Sequence, residues 1–152
     1  MLSSRARYAT RALLELSYSY PGGPVLIQDI SDRQNIPLKY LQQILLDLKQ
    51  AGFLVSRKGP GGGYSLARGP ESITLGQVLT AMDGTVIDMG CSLTAKNPEC
   101  GCPHPSSCAI REALVEMSAA LLKMMDEISF ADLRDKQRLA DQGRTKVLDY
   151  II

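Results

Sequence analysis

Residues 38–68 read LKYLQQILLDLKQAGFLVSRKGPGGGYSLAR. Two periodicities meet in this stretch. In its first half Leu41, Ile44, Leu45 and Leu48 fall at i, i+3, i+4 and i+7, the spacing that lines one face of an α-helix. Pro37 suits the first position of that helix, where its missing N–H costs nothing, and Gly52 closes it as a C-terminal cap. The opposite face carries Lys39, Tyr40, Gln42, Gln43 and Asp47. In the second half, FLVSRK and GYSLAR are short β-prone runs joined by GPGG, which reads as a hairpin. Its tip is basic at Arg57 and Lys58 and lacks side chains at Gly59, Gly61, Gly62 and Gly63. Glycines let a backbone approach a phosphate while neighbouring cations supply charge. GPGGG is not a nucleotide-binding loop: it lacks the GK[ST] ending and leads into a strand.

Upstream, QDISDRQN at 28–35 reads as a short helix. A short helix, a turn and an amphipathic helix with a hydrogen-bonding outer face make a helix-turn-helix. Followed at once by a basic, glycine-tipped hairpin, it becomes a winged helix. Further upstream, Ala9, Ala12, Leu13 and Leu16 mark a helix within residues 3–20, stopped by Pro21-Gly22-Gly23-Pro24. Val25–Ile27 is long enough only for an edge strand. Downstream, TLGQVLTAMDG at 74–84 is a fourth helix, with Thr74 and Gln77 in capping-box spacing. A long helix follows from Cys108, and Ile110, Leu114, Met117, Leu121, Met124 and Ile128 recur along it at 4, 3, 4, 3, 4. That heptad is the pattern of a helix packing along another helix, and it points to a homodimer seam. Ser129 caps a short last helix over 130–140, and 141–152 reads as a tail without a pattern.

The net charge of +1 conceals a split. Residues 1–70 carry nine Lys/Arg against four Asp/Glu, and residues 71–152 carry eight against twelve. The basic half is the one with the winged helix, so a polyanion is its expected partner. No basic segment followed by an apolar core opens the chain and no apolar run approaches a membrane span. The expected location is the cytoplasm, with no membrane partner.

Between the fourth and fifth helices lies CSLTAKNPECGCPHPSSC, residues 91–108, which holds all four cysteines and the lone His104. Structural disulfides are rare in the cytoplasm, so clustered thiols there favour metal or redox chemistry. A thiol oxidoreductase wants C-x-x-C or a cysteine with a nearby histidine base, and neither pattern is present. Zinc knots usually pair cysteines two to four residues apart; here the gaps are eight, one and five. The residues alone leave zinc and an iron–sulfur cluster both open.

With SSRARYATRALLEL, the wing RKGPGGGYSLA and a cysteine loop before a long helix, the chain resembles the Rrf2 family of bacterial winged-helix transcription regulators, in particular its iron–sulfur-sensing branch. The resemblance spans roughly residues 1–135. It implies a homodimer whose long helix crosses its partner. It also implies that Lys39, Tyr40, Gln42 and Gln43 lie where a recognition helix enters the major groove. Arg57, Lys58, Gly61 and Gly62 then lie along the flanking minor groove or backbone. Gln42 stands where some relatives have Glu; glutamine pairs with adenine, whereas a carboxylate accepts from cytosine. Cluster-binding members carry three cysteines, and Cys102 and Cys108 keep their five-residue gap. Cys91 stands further upstream than the pattern has it, and the added stretch contains Cys100. Relatives complete the ligand set with a histidine or an acid from the partner, at positions matching Arg111 and Arg7 here. Neither arginine ligates a cluster, which leaves Cys100 as fourth ligand, with His104 or a partner residue next in line.

The expectation is a mainly α chain with four parts. A winged helix-turn-helix occupies 1–84, a cysteine-rich cluster loop 85–107, a dimerisation helix with a short terminal helix 108–140, and a tail 141–152. Its expected function is that of a non-enzymatic regulator, a repressor of double-stranded DNA operators, controlled by a [2Fe–2S] or [4Fe–4S] cluster that senses iron, redox state or nitric oxide. The alternatives are the same fold sensing through zinc or bare thiols, or a metal-binding interaction protein that binds no DNA.

Overall fold

A computed structural model describes residues 2–84 and 108–149, without the side chains of residues 143–149. The order is α1 (Ser4–Ser19), α2 (Ile27–Gln34), α3 (Leu38–Gln50), β1 (Leu54–Arg57), β2 (Gly63–Leu66), a 3₁₀ turn at Pro70–Ser72, α4 (Leu75–Asp83), α5 (Ala109–Asp126) and α6 (Phe130–Asp149). The mainly helical architecture is as expected.

The central helix is α1. Ala6, Ala9 and Ala12 are fully buried with Leu13 and Leu16, and small side chains let α2, α3, α4 and α6 approach its backbone closely. The stripe read from sequence on α3 is the stripe that packs: Leu41, Ile44, Leu45 and Leu48 are buried in one core with Ile30, Ile36, Phe53, Leu66, Val78 and Phe130. Burying each such side chain stabilises the fold by about 1.5–3 kcal/mol.

The turn between α2 and α3 is set by Asn35, whose left-handed backbone (φ 47°) lets the Ile36 amide reach the Ser31 carbonyl at 3.0 Å. At the far end of α3, Gly52 (φ 80°) donates to the Lys49 carbonyl at 3.0 Å, and Phe53 donates to the Leu48 carbonyl at 3.0 Å. This is the paired closure in which a glycine ends a helix and an apolar residue follows into the core. Pro37 is the residue before the helix rather than its first turn, because its φ is fixed whereas its ψ stays extended. The hairpin pairs Leu54 with Leu66 through Arg57 with Gly63.

Two further expectations need correcting. Of Val25–Ile27, only Val25 pairs in a sheet, as an isolated bridge to Tyr64, and Ile27 already begins α2. The last helix does not stop at residue 140 but runs to Asp149. The stretch read as a patternless tail thus continues the helix through Gly143, since one interior glycine costs a helix only about 1 kcal/mol. Ser129 does begin it, in a reciprocal cap. The Asp132 amide donates to Ser129 Oγ at 3.1 Å, and the Ser129 amide donates to Asp132 Oδ2 at 2.9 Å.

The corner between α5 and α6 docks on the start of α4. The Leu75 amide donates to the Ile128 carbonyl at 2.8 Å, the Phe130 amide to the Ile73 carbonyl at 2.9 Å, and Thr74 Oγ1 to Asp126 Oδ1 at 3.0 Å. Phe130 is fully buried beneath these bonds. The long helix is thereby fixed to the winged helix at one end. No helix among the described residues is long and apolar enough to cross a membrane.

Candidate nucleic-acid interface

The outward face of α3 presents Lys39, Tyr40, Gln42, Gln43, Leu46 and Lys49 to solvent. Pro37 offers no side-chain cap to the first amides of the helix. An uncapped helix start of this kind attracts anions through its amides and dipole. The two glutamines differ. Gln43 donates to Asp47 Oδ1 at 2.9 Å, and Asp47 is held by Arg5 at 2.9 Å. Gln42 has no hydrogen-bond partner among the described residues, so both ends of its amide are available.

Tyr40 lies half out of the surface, its ring 5.7 Å from that of Tyr8 and nearly perpendicular to it (80°). An edge-to-face pair of this kind contributes about 0.5–1.5 kcal/mol beyond its buried area. The contact orients Tyr40 from α1, so the residue serves packing and presentation together. Tyr8 could not be picked out from sequence, because only the folded chain brings the two rings together.

In the wing, Arg57 and Lys58 are exposed, and neither has an ion-pair or hydrogen-bond partner among the described residues. Gly61 is exposed at the tip, but Gly62 is buried. Its amide donates to the Gly59 carbonyl at 2.9 Å, and a Cβ there would stand 2.3 Å from the Arg57 carbonyl oxygen. Gly62 therefore shapes the turn that presents Arg57 and Lys58. Arg68 is a cation of a different kind. It donates to the Gly52 carbonyl at 3.2 Å and to Gln77 Oε1 at 3.2 Å, and its guanidinium lies 5.3 Å from the Phe53 ring centre. It joins the ends of α3 and β2 to α4.

A second polar cluster fixes α1 against α2. Glu15, 7% exposed, accepts from Arg33 at 3.0 Å and from Gln34 at 2.8 Å. The bond to Glu15 holds the Arg33 guanidinium above its ordinary pKa. Such pairing is required when a carboxylate is buried.

Of the expected thiols, Cys91, Cys100 and Cys102 lie outside the described residues, as does His104. Cys108 is half-buried immediately before α5, and its side chain makes no capping bond. Among the described residues no three of His, Cys, Asp and Glu gather as metal ligands do. Along α5, Ile110, Met117, Leu121 and Met124 are 71%, 58%, 38% and 63% exposed, whereas Leu114 and Ile128 are half-buried. The inner side of the helix is a different one, with Ser118 and Met125 buried against the winged helix. The apolar stripe read from sequence is thus for the most part uncovered in a single chain.

The family model Rrf2, iron-dependent transcriptional regulator, matches residues 2–136. The chain belongs to the Rrf2 family. Rrf2 proteins are transcription regulators and not enzymes. The chain is 34% identical over 149 residues to the HTH-type transcriptional regulator IscR of Escherichia coli, spanning 97% of this chain and 89% of that protein. It is 34% identical over 144 residues to IscR of Aliivibrio salmonicida, with 93% and 83% covered. Among solved structures, CymR, the global cysteine regulator of B. subtilis, superposes with a TM-score of 0.71 at 25% identity over 90% of this chain and 97% of that one. IscR of T. potens shares the fold with a TM-score of 0.74 at 24% identity, over 92% and 90%.

Proposed function

We propose that this Rrf2 protein is a homodimeric repressor whose operator affinity is set by an iron–sulfur cluster. What supports DNA reading most strongly is the juxtaposition on one domain of an uncapped helix with an uncommitted Gln42 and a wing with two uncommitted cations. Phosphate contacts from Arg57, Lys58 and Lys39 position the domain, and base edges met by Gln42 and Tyr40 specify the sequence. Glutamine's paired donor and acceptor fit adenine. Leu46, one turn further along α3 and 44% exposed, suits contact with a thymine methyl.

Ile110, Leu114, Met117, Leu121, Met124 and Ile128 are the proposed seam with a second copy. A dimer of such domains reads half-sites about one DNA turn apart, so the packing of α5 sets the spacing between the two α3 helices.

Cys91, Cys100, Cys102 and Cys108 form the proposed ligand set. The donors fit: clusters of either kind take four thiolates. Cys108 stands beside the first turn of α5, and its side chain makes no capping bond there. When bound, the cluster supplies a redox-active centre sensitive to iron supply, oxidants and nitric oxide. The chain's own part is mechanical. Cys108 stands at one end of α5, and the bonds of Thr74, Leu75 and Phe130 fasten the other end to the winged helix. Tying the cysteines together constrains α5 and, through that fastening, α3. One other reading is the same regulator sensing through bare thiols or zinc, since clustered thiolates suit zinc as well as a cluster.

The test of DNA reading is selection from random duplexes. Wild type enriches a two-fold symmetric site, and Gln42→Ala loses discrimination at one base pair per half-site by about 1–3 kcal/mol. Failure to enrich any sequence contradicts the proposal.

A further inference from the structure

Between α1 and α6 opens a cavity of about 460 Å³, within the size range of small-molecule sites. Its floor is apolar, from Leu14, Leu75 and Leu133, all half-buried. Its polar edge holds Arg11, Lys136 and Thr10, and among the described residues no carboxylate lines it. Lys136 is exposed and forms no ion pair or hydrogen bond among the described residues. The nearest carboxylate that acts on it is Asp132, one turn earlier on α6. An apolar bed lined by two cations and no acid is complementary to an amphipathic anion.

One of those cations also holds the helix-turn-helix. Arg11 donates through Nη2 to the backbone carbonyl of Gln34, the last residue of α2, and through Nε to Gln34 Oε1 at 3.4 Å. Its guanidinium lies 5.7 Å from the centre of the Tyr8 ring, and Tyr8 meets Tyr40 of α3 at 5.7 Å. A guanidinium carries five N–H donors, so Arg11 retains donors for a carboxylate while bound to Gln34. A tighter hold on an anion comes at the expense of Gln34 and Tyr8, and both lead to the DNA-facing helix.

We propose that this cavity binds a small organic acid, its apolar body on Leu14, Leu75 and Leu133 and its anion between Arg11 and Lys136, and that binding changes operator affinity through Arg11. The regulatory half rests on the DNA-binding function above; the binding half does not. Such a site gives the regulator a second input, independent of the cysteines.

The probe is anilinonaphthalene sulfonate, an aromatic body with one sulfonate, titrated by fluorescence into the full chain, with octanoate as a colourless competitor. Saturable binding at one probe per chain is expected, reversed by octanoate. Affinity should fall about tenfold or more in Lys136→Glu, which inverts the charge, and in Ala140→Trp, which fills the mouth. Both substitutions are at exposed helix positions, and circular dichroism checks that they fold. Saturating octanoate should shift operator affinity about fivefold or more in wild type, and less than twofold in Lys136→Glu. Absence of saturable binding, or binding indifferent to both substitutions, overturns the site. Binding that leaves operator affinity unchanged overturns its regulatory role. A chain that binds no operator with or without octanoate refutes the DNA-binding function instead, and the fluorescence titration still decides the site.

Discussion

Arg57 and Lys58 are exposed and have no protein partner among the described residues, so replacing both with Ala removes two charges that only a bound polyanion uses. Each phosphate contact contributes about 0.9 to the slope of log K against log salt. A dimer on its operator loses four such contacts, so the double variant should lower that slope by about 3.6. Over a roughly fourfold rise in salt, from about 50 to 200 mM, wild type then loses about 150-fold more affinity than the variant. Fluorescence anisotropy on a selected operator, repeated across that range, measures the slope. Folding should be unaffected, since substitutions of unpartnered surface groups stay within about 0.5 kcal/mol. Arg68→Ala is the control. It removes the same charge from the same hairpin, but Arg68 bonds Gly52 and Gln77 and covers Phe53. It should destabilise the fold by about 1–2 kcal/mol and leave the slope nearly unchanged. An unaltered slope in the double variant, or an equal drop in stably folded Arg68→Ala, refutes the assignment of the wing cations.

Leu121→Glu should give monomers or aggregates in sedimentation, because burying an unpaired charge in the α5 seam costs several kcal/mol; an intact dimer moves the interface elsewhere. Gly62→Ala places a Cβ 2.3 Å from the Arg57 carbonyl oxygen, so urea unfolding should show a loss of about 1–3 kcal/mol, and an unchanged midpoint means the turn relaxes freely. Hydrogen bonds from the Ser129 hydroxyl and amide hold the Asp132 carboxyl below its ordinary pKa. With the folded value below the unfolded one, the stabilisation is complete above the unfolded pKa of about 4 and is lost as pH falls through the folded value. Asp132→Asn should accordingly flatten the acid limb of the unfolding midpoint against pH; an unchanged limb denies Asp132 that role.

The winged helix was legible because its signals are local. The buried stripe of α3, the glycine that closes it and the basic hairpin each lie within a few residues, and packing agrees with all three. The start of α6 was legible for the same reason, since Ser129 and Asp132 form a cap by spacing alone. Its end was not: nothing in the sequence distinguishes an interior Gly143 from a terminal one. Contacts across the chain also escaped. Tyr8 against Tyr40, Arg11 against Gln34 and Glu15 against Arg33 join residues 18 to 32 positions apart, and their pairing depends on how α1 is laid over the helix-turn-helix. Charge counting took Arg57, Lys58 and Arg68 as alike; burial and hydrogen bonding separate them. For the cysteines, spacing favoured a cluster only with a family resemblance beside it, because thiolates suit zinc and iron–sulfur centres alike.

Whether the cysteines govern DNA binding is decided by one titration, operator affinity measured anaerobically for chain reconstituted with iron and sulfide and for the same chain with Cys108→Ala. The wild-type chain should show visible iron–sulfur absorbance and the variant should lack it. Their operator affinities should differ by about fivefold or more, the usual scale of coupling between two sites. Equal affinities, with the chromophore present in one and absent from the other, contradict control by a cluster.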